Sequence, residues 1–146
     1  FRDFTPTSDT PDLGMCSREP ITISYDSALL YTDHLLSRTI GTLQGMDDYD
    51  TAMIYVSDHG ESLGEKGLYL HGVPYAIAPQ EQTRVPMTMW FSPGFAANRG
   101  LDLACVRRRA TAYTDHDNLF PSVLGLMQVR TTLYERQRDL FAGCEA

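Results

Sequence analysis

The feature that most constrains this chain is a long helical pattern that runs directly into a short apolar segment. Apolar residues recur at helical spacing over residues 21–43, which predicts one amphipathic helix that ends between Gly41 and Gly45. The segment "TAMIYVSD" that follows is apolar and rich in β-branched residues, and it predicts a strand covered on both faces, as in a parallel sheet. A helix followed by such a strand indicates an α/β layer fold.

The remainder of the chain carries weaker patterns. Residues 60–84 show no clear period and are predicted to be rich in loops, and Pro93, Gly94 and Gly100 mark a surface segment. Three stretches are predicted to be regular: a strand at 85–92 and helices at 101–112 and 115–128. Pro121 fits the last helix only if it lies in the first turn, where a missing N–H is tolerated.

Length and charge exclude several classes of protein. The 146 residues are one domain's worth, and a formal net charge of −7 argues against nucleic acid as a partner, because that partner requires a cationic face. No apolar run approaches 18 residues, so no membrane span is predicted. Because the sequence starts at Phe1 and shows no signal-peptide pattern, we expect it to be part of a longer protein.

The segment "SDHGESLGEKGLYLHG" carries the residues best suited to chemistry. Asp58 and His59 follow the predicted strand, at the end where open α/β sheets bind ligands, and both are zinc-ligand types. Gly60 allows a sharp turn, and Glu61 is close enough to orient an imidazole. The glycine-rich loop can return His71 to the same place, where an imidazole can bind a phosphoryl oxygen or carry a proton. From these residues alone a simple polar turn is an equal alternative.

The surrounding sequence resembles a known family. The string "SDHGESLGEKGLYLHGVPYAIAP" and the following "QTRVPMTMWFS" are similar to the lipid A phosphoethanolamine transferases, the membrane enzymes of polymyxin and colistin resistance. The similarity extends upstream into "FTPTSDTPDLGMCSRE" and downstream into "DNLFPSVLGL". It therefore covers nearly the whole chain, far more than the short Asp-His-Gly match that the wider alkaline-phosphatase and sulfatase superfamily shares.

The resemblance implies a fold and an activity. It implies a three-layer α/β/α sandwich of the alkaline-phosphatase and sulfatase type, of which residues 1–146 would be the C-terminal part. A transmembrane domain and the first part of the catalytic domain would precede it, which would place the enzyme on the periplasmic face of the bacterial inner membrane. The implied reaction is zinc-dependent transfer of phosphoethanolamine from phosphatidylethanolamine to a lipid A phosphate, through a phosphothreonine intermediate.

The resemblance also implies residue roles. Asp58 and His59 would be zinc ligands, and His71 would meet the phosphoryl group or a second metal. The nucleophilic threonine and a glutamate ligand would lie upstream of this segment, so the segment alone is expected to be inactive. If the segment carries only part of the sheet, its open edge strand can pair with a second copy. A homo-oligomer is therefore a further possibility for the segment alone.

The resemblance bears on the cysteines as well. The family carries two cysteines around the loop that here runs over residues 8–16, and Ser8 replaces the first of them. Cys16 thus loses that partner, and it is left free or pairs elsewhere. A bridge between Cys105 and Cys144 is favoured because an oxidising periplasm permits disulfides; three free thiols are the alternative.

Two other function classes stay open. The first is another activity of the superfamily: a phosphoglycerol transferase, a phosphodiesterase or a sulfatase. A sulfatase needs a cysteine or serine that is converted to formylglycine, and no such motif is present here. The second is a non-catalytic segment that binds metal or a partner protein.

Overall fold

The computed structural model describes residues 3–7 and 10–145. Ser8, where the resemblance implies a lost cysteine, lies outside the described residues, as does Phe1. The chain forms two compact units. The first comprises the described residues up to Gly45 together with Met53–Trp90, and the second comprises Met46–Ala52 and the residues from Phe91 onward.

The predicted long helix is confirmed as α1, Arg18–Gln44. It begins three residues before the predicted apolar stripe, and Pro20 lies in its first turn, where no helical N–H is needed. The main-chain N–H of Gly45 closes the other end on the Gly41 carbonyl at 3.3 Å. The stripe is less covered than predicted, since Leu35 keeps 52% of its surface exposed. No helix of the described residues is long and apolar enough to cross a membrane.

Both predicted strands are present, and they pair with each other. Strand β1 is Ala52–Val56, and it lies beside β4, Met87–Phe91, in a two-stranded sheet. The prediction that the first strand is covered on both faces was wrong for the described residues, because every β1 residue is half-buried. A strand that is paired along one edge in a two-stranded sheet keeps part of its apolar surface open.

The stretch between these strands is more regular than predicted. Two short antiparallel strands, β2 (Ser62–Leu63) and β3 (Tyr69–Leu70), enclose a 3-10 turn at Glu65–Gly67. Their pairing sets Ser62 opposite Leu70 and Leu63 opposite Tyr69. Gly64 makes the turn possible with φ of +114°, a conformation that side chains disfavour. A four-residue helix, α2 (Gln80–Thr83), follows before β4.

Three helices complete the second unit, and one of them was missed in the sequence. Their bounds are α3 Pro93–Asn98, α4 Leu103–Arg109 and α5 Leu119–Leu126. Helix α3 occupies the segment in which Pro93 and Gly94 predict an irregular surface segment. Its signal is Ser92, whose hydroxyl accepts the Phe95 N–H at 3.1 Å, followed by Pro93 in the first helical position.

Pro121 lies in the last helix at a position that the sequence analysis allowed for it. A capping box precedes this helix, in which Asp115 accepts the Asp117 N–H at 3.1 Å and Asn118 accepts the Asp115 N–H at 2.9 Å. Pro121 is the third residue of α5 and therefore lies in its first turn. The helix ends two residues before the predicted Gln128, which takes a left-handed φ of 54°.

The core of the second unit is aromatic and is closed by a disulfide. Phe91 stacks on Phe95 and meets Phe141 edge-on, both at 5.7 Å between ring centroids. Cys105 on α4 is bonded to Cys144 across a Cα–Cα distance of 5.4 Å, which is the pair that the resemblance implied. Cys16 lies outside this bond and keeps its thiol.

Glu65 links α1 to the β2–β3 pair of the first unit. Its carboxylate accepts the Arg18 guanidinium and the Leu63 N–H, both at 2.6 Å. Burial raises the pKa of Glu65, but the N–H groups of Leu63 and Glu65 and the Arg18 charge outweigh it, so the pKa lies below its ordinary value.

Gly60 lies where two backbone segments touch. Its N–H donates to the Gln82 carbonyl at 3.0 Å, and a Cβ at this position would run into the Glu81 carbonyl oxygen. Only glycine fits this contact without a shift of the backbone.

We expect removal of the disulfide by the double substitution Cys105→Ser and Cys144→Ser to lower the free energy of unfolding by about 4 kcal/mol. Without the bridge, the unfolded chain regains the conformational entropy of the loop that the bridge closes over a sequence separation of 39 residues. Urea denaturation measures the loss. Thiol titration of the unreduced protein in denaturant should find one thiol, and a count of three would contradict the bridge.

The substitution Glu65→Gln should destabilise the chain by about 1–2 kcal/mol at pH 7. Because the folded-state pKa is lowered, this contribution is present above the ordinary glutamate pKa of about 4.3 and is lost as pH falls through the folded-state value. Urea midpoints measured from pH 7 down to pH 3 should converge with those of the unmodified chain. The exposed Glu81→Gln serves as control, and a pH-independent gap would contradict this origin.

The pair Gly60→Ala and Gly41→Ala should change stability in opposite directions. Alanine at 60 meets the Glu81 carbonyl and should cost about 1–3 kcal/mol. Alanine at 41 meets nothing within 4 Å inside α1 and should add about 0.5–1 kcal/mol. Thermal unfolding of both variants checks the signs, and a neutral Gly60→Ala would show that the contact can relax.

Candidate metal centre

The candidate site begins where β1 ends. Val56 is the last strand residue, and Ser57, Asp58 and His59 follow it directly. Local bonds fix this turn, since the Ser57 hydroxyl donates to the His59 carbonyl at 2.7 Å and the His59 N–H donates to Asp58 Oδ1 at 3.1 Å. The strand end therefore presents an imidazole and a carboxylate from adjacent residues.

The β2–β3 pairing brings the second histidine to the same place. Glu61 directly precedes Ser62 of β2, and His71 directly follows Leu70 of β3. Because Ser62 and Leu70 are register partners, their neighbours Glu61 and His71 leave the strands at the same end. Both oxygens of the Glu61 carboxylate lie near His71 Nδ1, at 3.2 and 3.3 Å.

His59, Glu61 and His71 form one cluster of metal-ligand atoms. One ligand atom from each lies within 4.8 Å of those of the other two. The two imidazole rings stack with centroids 3.7 Å apart and an angle of 29° between their planes. Both histidines are exposed, and Glu61 is half-buried. The cluster is therefore open to solvent and accessible to a ligand.

Hydrogen bonds select which ring nitrogen is available in each histidine. His59 Nδ1 lies 2.9 Å from the Gly60 carbonyl oxygen, which can only accept, so this bond places the proton on Nδ1. The ionised Glu61 carboxylate can likewise only accept, so its bond places the His71 proton on Nδ1. Each neutral ring then keeps its Nε2 lone pair for a metal, and a ring that takes up a proton at Nε2 can donate it to a phosphoryl oxygen.

Asp58 lies beside the cluster. Its side chain is 89% exposed, and its Oδ2 is 3.8 Å from His59 Nε2. Its own N–H, the His59 N–H and the nearby His59 ring lower the pKa of Asp58 below its ordinary value. The carboxylate is therefore ionised at neutral pH, as a metal ligand must be.

The donor set fits a zinc ion. Two imidazoles and two carboxylates are nitrogen and oxygen ligands of the types that zinc takes in proteins. The resemblance assigned Asp58 and His59 to the metal and His71 to the phosphoryl group or a second metal, and the sequence offered Glu61 as an orienting acceptor. The structure brings His59, Glu61 and His71 together and sets Asp58 next to them. The histidine that Glu61 orients as a hydrogen-bond acceptor is His71.

Sequence reasoning missed the polar residues that hold this loop. Ser62 and Gln82 are buried and bonded to each other, with Gln82 Nε2 donating to Ser62 Oγ at 2.8 Å. Nothing in the local pattern marks either residue as buried. The β2–β3 pair had a weak signal, since the short apolar pairs at 62–63 and 69–70 flank a stretch that contains Gly64 and Gly67.

Known relatives match most of the chain. Phosphoethanolamine transferase EptA of Salmonella typhimurium is 43% identical over 146 residues, which are 99% of this chain and 27% of the relative. Phosphatidylethanolamine transferase Mcr-1 of Escherichia coli is 48% identical over 91 residues, 62% of this chain and 17% of the relative. The chain thus spans about a quarter of the length of the first relative.

Solved structures support the fold. The soluble domain of lipooligosaccharide phosphoethanolamine transferase A from Neisseria meningitidis matches with a TM-score of 0.94 and 44% identity, over 99% of this chain and 44% of that one. The C-terminal periplasmic domain of phosphoethanolamine transferase EptC from Campylobacter jejuni matches with a TM-score of 0.87 and 41% identity, over 99% of this chain and 45% of that one. The expected α/β fold of sulfatase type is confirmed by these matches.

The family model that matches the chain is described as Sulfatase, and it covers residues 1–129. Because that match includes most of the chain, the chain belongs to the Sulfatase family, within which it resembles the phosphoethanolamine transferases.

Proposed function

We propose that the protein to which this chain belongs transfers phosphoethanolamine from phosphatidylethanolamine to a lipid A phosphate, with zinc as cofactor. The observation that carries the proposal is the cluster of His59, Glu61 and His71 beside Asp58, at the end of β1. The relatives that match over 99% of the chain are named phosphoethanolamine transferases. Another relative is named Kdo(2)-lipid A phosphoethanolamine 7''-transferase, which supports lipid A as the acceptor.

In this proposal Asp58 and His59 hold the zinc ion. The Gly60 carbonyl keeps the His59 proton on Nδ1 and so leaves Nε2 for the metal. Asp58 contributes an ionised carboxylate next to that nitrogen. When bound, zinc supplies Lewis-acid stabilisation of a phosphoryl oxygen.

His71 acts on the phosphoryl group. Glu61 fixes the orientation of its ring through Nδ1, so Nε2 can take up a proton and then donate it to a phosphoryl oxygen. Positioning and charge stabilisation of this kind supply most of the rate in phosphoryl transfer. The nucleophile in this proposal is a threonine in a preceding part of the same catalytic domain. Its oxygen takes phosphoethanolamine from phosphatidylethanolamine with diacylglycerol as the leaving group, and the lipid A phosphate then displaces the threonine oxygen.

The setting of the reaction is also proposed from the relatives. One matched structure is named an integral membrane protein, and another is named a periplasmic domain. We place residues 1–146 in the catalytic domain on the periplasmic face of the inner membrane, attached through membrane helices elsewhere in the protein. Addition of phosphoethanolamine to lipid A makes its phosphates less negative overall, which would weaken binding of cationic polymyxins.

Hydrolysis of another phosphate or sulfate ester is the second candidate. The name of the matching family model, Sulfatase, favours it, and that model covers residues 1–129. Release of sulfate or inorganic phosphate, with no gain of phosphoethanolamine on lipid A, would select this candidate.

We expect Asp58→Ala and His59→Ala to abolish phosphoethanolamine transfer in the protein that carries the nucleophile. Each substitution removes a proposed zinc ligand, so metal content measured by elemental analysis should fall together with the mass-spectrometric signal of modified lipid A. The matched control is His34→Ala, which replaces an exposed histidine on α1 and should retain both the metal content and the transfer activity. Near-normal transfer by either site variant would refute the assignment.

A further inference from the structure

Gln82 is a buried polar residue on a short exposed helix. It keeps 6% of its surface exposed, whereas Gln80, Glu81 and Thr83, which complete α2, are all exposed. A buried amide is costly unless its groups are hydrogen-bonded. The bonds that Gln82 makes are therefore the reason that this position faces inward.

Those bonds reach both neighbours of Glu61. The Gln82 carbonyl accepts the Gly60 N–H at 3.0 Å, and the Gln82 side-chain Nε2 donates to Ser62 Oγ at 2.8 Å. Ser62 keeps only 1% of its surface exposed. One residue thus holds the main chain on one side of Glu61 and the side chain on the other.

The same bonds bear on His71 through the strand pairing. Ser62 is the register partner of Leu70, which directly precedes His71. Leu70 has a φ of 62°, a left-handed conformation that a leucine adopts only where its surroundings impose it. Fixing Ser62 therefore fixes the strand from which His71 departs.

We propose that Gln82 is a positioning residue that holds Glu61 against His71 and so sets the geometry of the metal cluster. Its side chain acts through Ser62, and its main-chain carbonyl acts through Gly60. Gly60 approaches the Glu81 carbonyl closely, so the two backbone segments have little room to shift against each other. The inference rests on the metal site of the proposed function, and its test separates the two.

The test compares Gln82→Met with Ser62→Ala. Methionine has a similar length but no donor, and alanine removes the same bond from its other end while disturbing less volume. We expect each variant to bind Zn²⁺ at least about tenfold more weakly in a competition titration, because the zinc ligand His59 stacks on His71 and loses this orienting support when Glu61 shifts. The double variant should be no weaker than the weaker single one, because both substitutions remove the same bond.

A second readout does not depend on metal. In the metal-free protein, the ring resonances of His71 in ¹H–¹⁵N spectra should shift in both variants, because the Glu61 contact loosens. Gln80→Met, on the exposed side of the same helix, should change neither the affinity nor the spectrum. Circular dichroism checks folding, and Ser62→Ala decides if Gln82→Met does not fold.

The outcomes are distinct. Unchanged affinity and unchanged His71 resonances in a folded variant would overturn the positioning role. If the unmodified protein binds no Zn²⁺, the metal site of the proposed function fails, and the His71 resonances alone decide the role of Gln82: a shift supports it and no shift overturns it.

Discussion

The candidate site depends on one backbone contact, in which Gly60 meets the α2 segment at Glu81 and Gln82. That contact forces the chain to turn immediately after His59, and it sends the following residues into β2. The pairing of β2 with β3 then returns the chain to its starting point, with His71 stacked on His59. A side chain at residue 60 would separate the two segments and with them the two halves of the cluster.

The sequence predicts the main elements because their periodicity is strong. The repeat over residues 21–43 and the apolar run at 51–56 became α1 and β1 with errors of a few residues. Their burial was overestimated, because an apolar pattern shows which face a strand can cover and not how much of the described chain covers it. Helix α3 was missed since Pro93 and Gly94 suggest a break, although Ser92 followed by proline is also a helix start.

The chemistry of the site was predictable at the level of residue type. Asp58, His59 and His71 stand out because imidazoles and carboxylates at a strand end suit metal and phosphate. What the sequence could not provide is the pairing between them. That Glu61 would contact His71 follows from the register of two short strands, and such strands have too few residues for a period-two pattern to be recognised.

Buried apolar and buried polar side chains are distributed unevenly along the chain. Buried apolar side chains are concentrated in the second unit, where Phe95, Leu126 and Phe141 pack and the disulfide is formed. Among the described residues of the first unit, Ser62 and Gln82 are buried, polar and hydrogen-bonded to each other. Beside the metal cluster, a directional bond thus does what apolar packing does around Phe95 and Phe141. Apolar contacts tolerate small shifts with modest cost, whereas a hydrogen bond fails when its geometry changes. A metal cluster requires ligand atoms placed to within a fraction of an ångström, and the bond between Gln82 and Ser62 beside Glu61 is suited to that requirement.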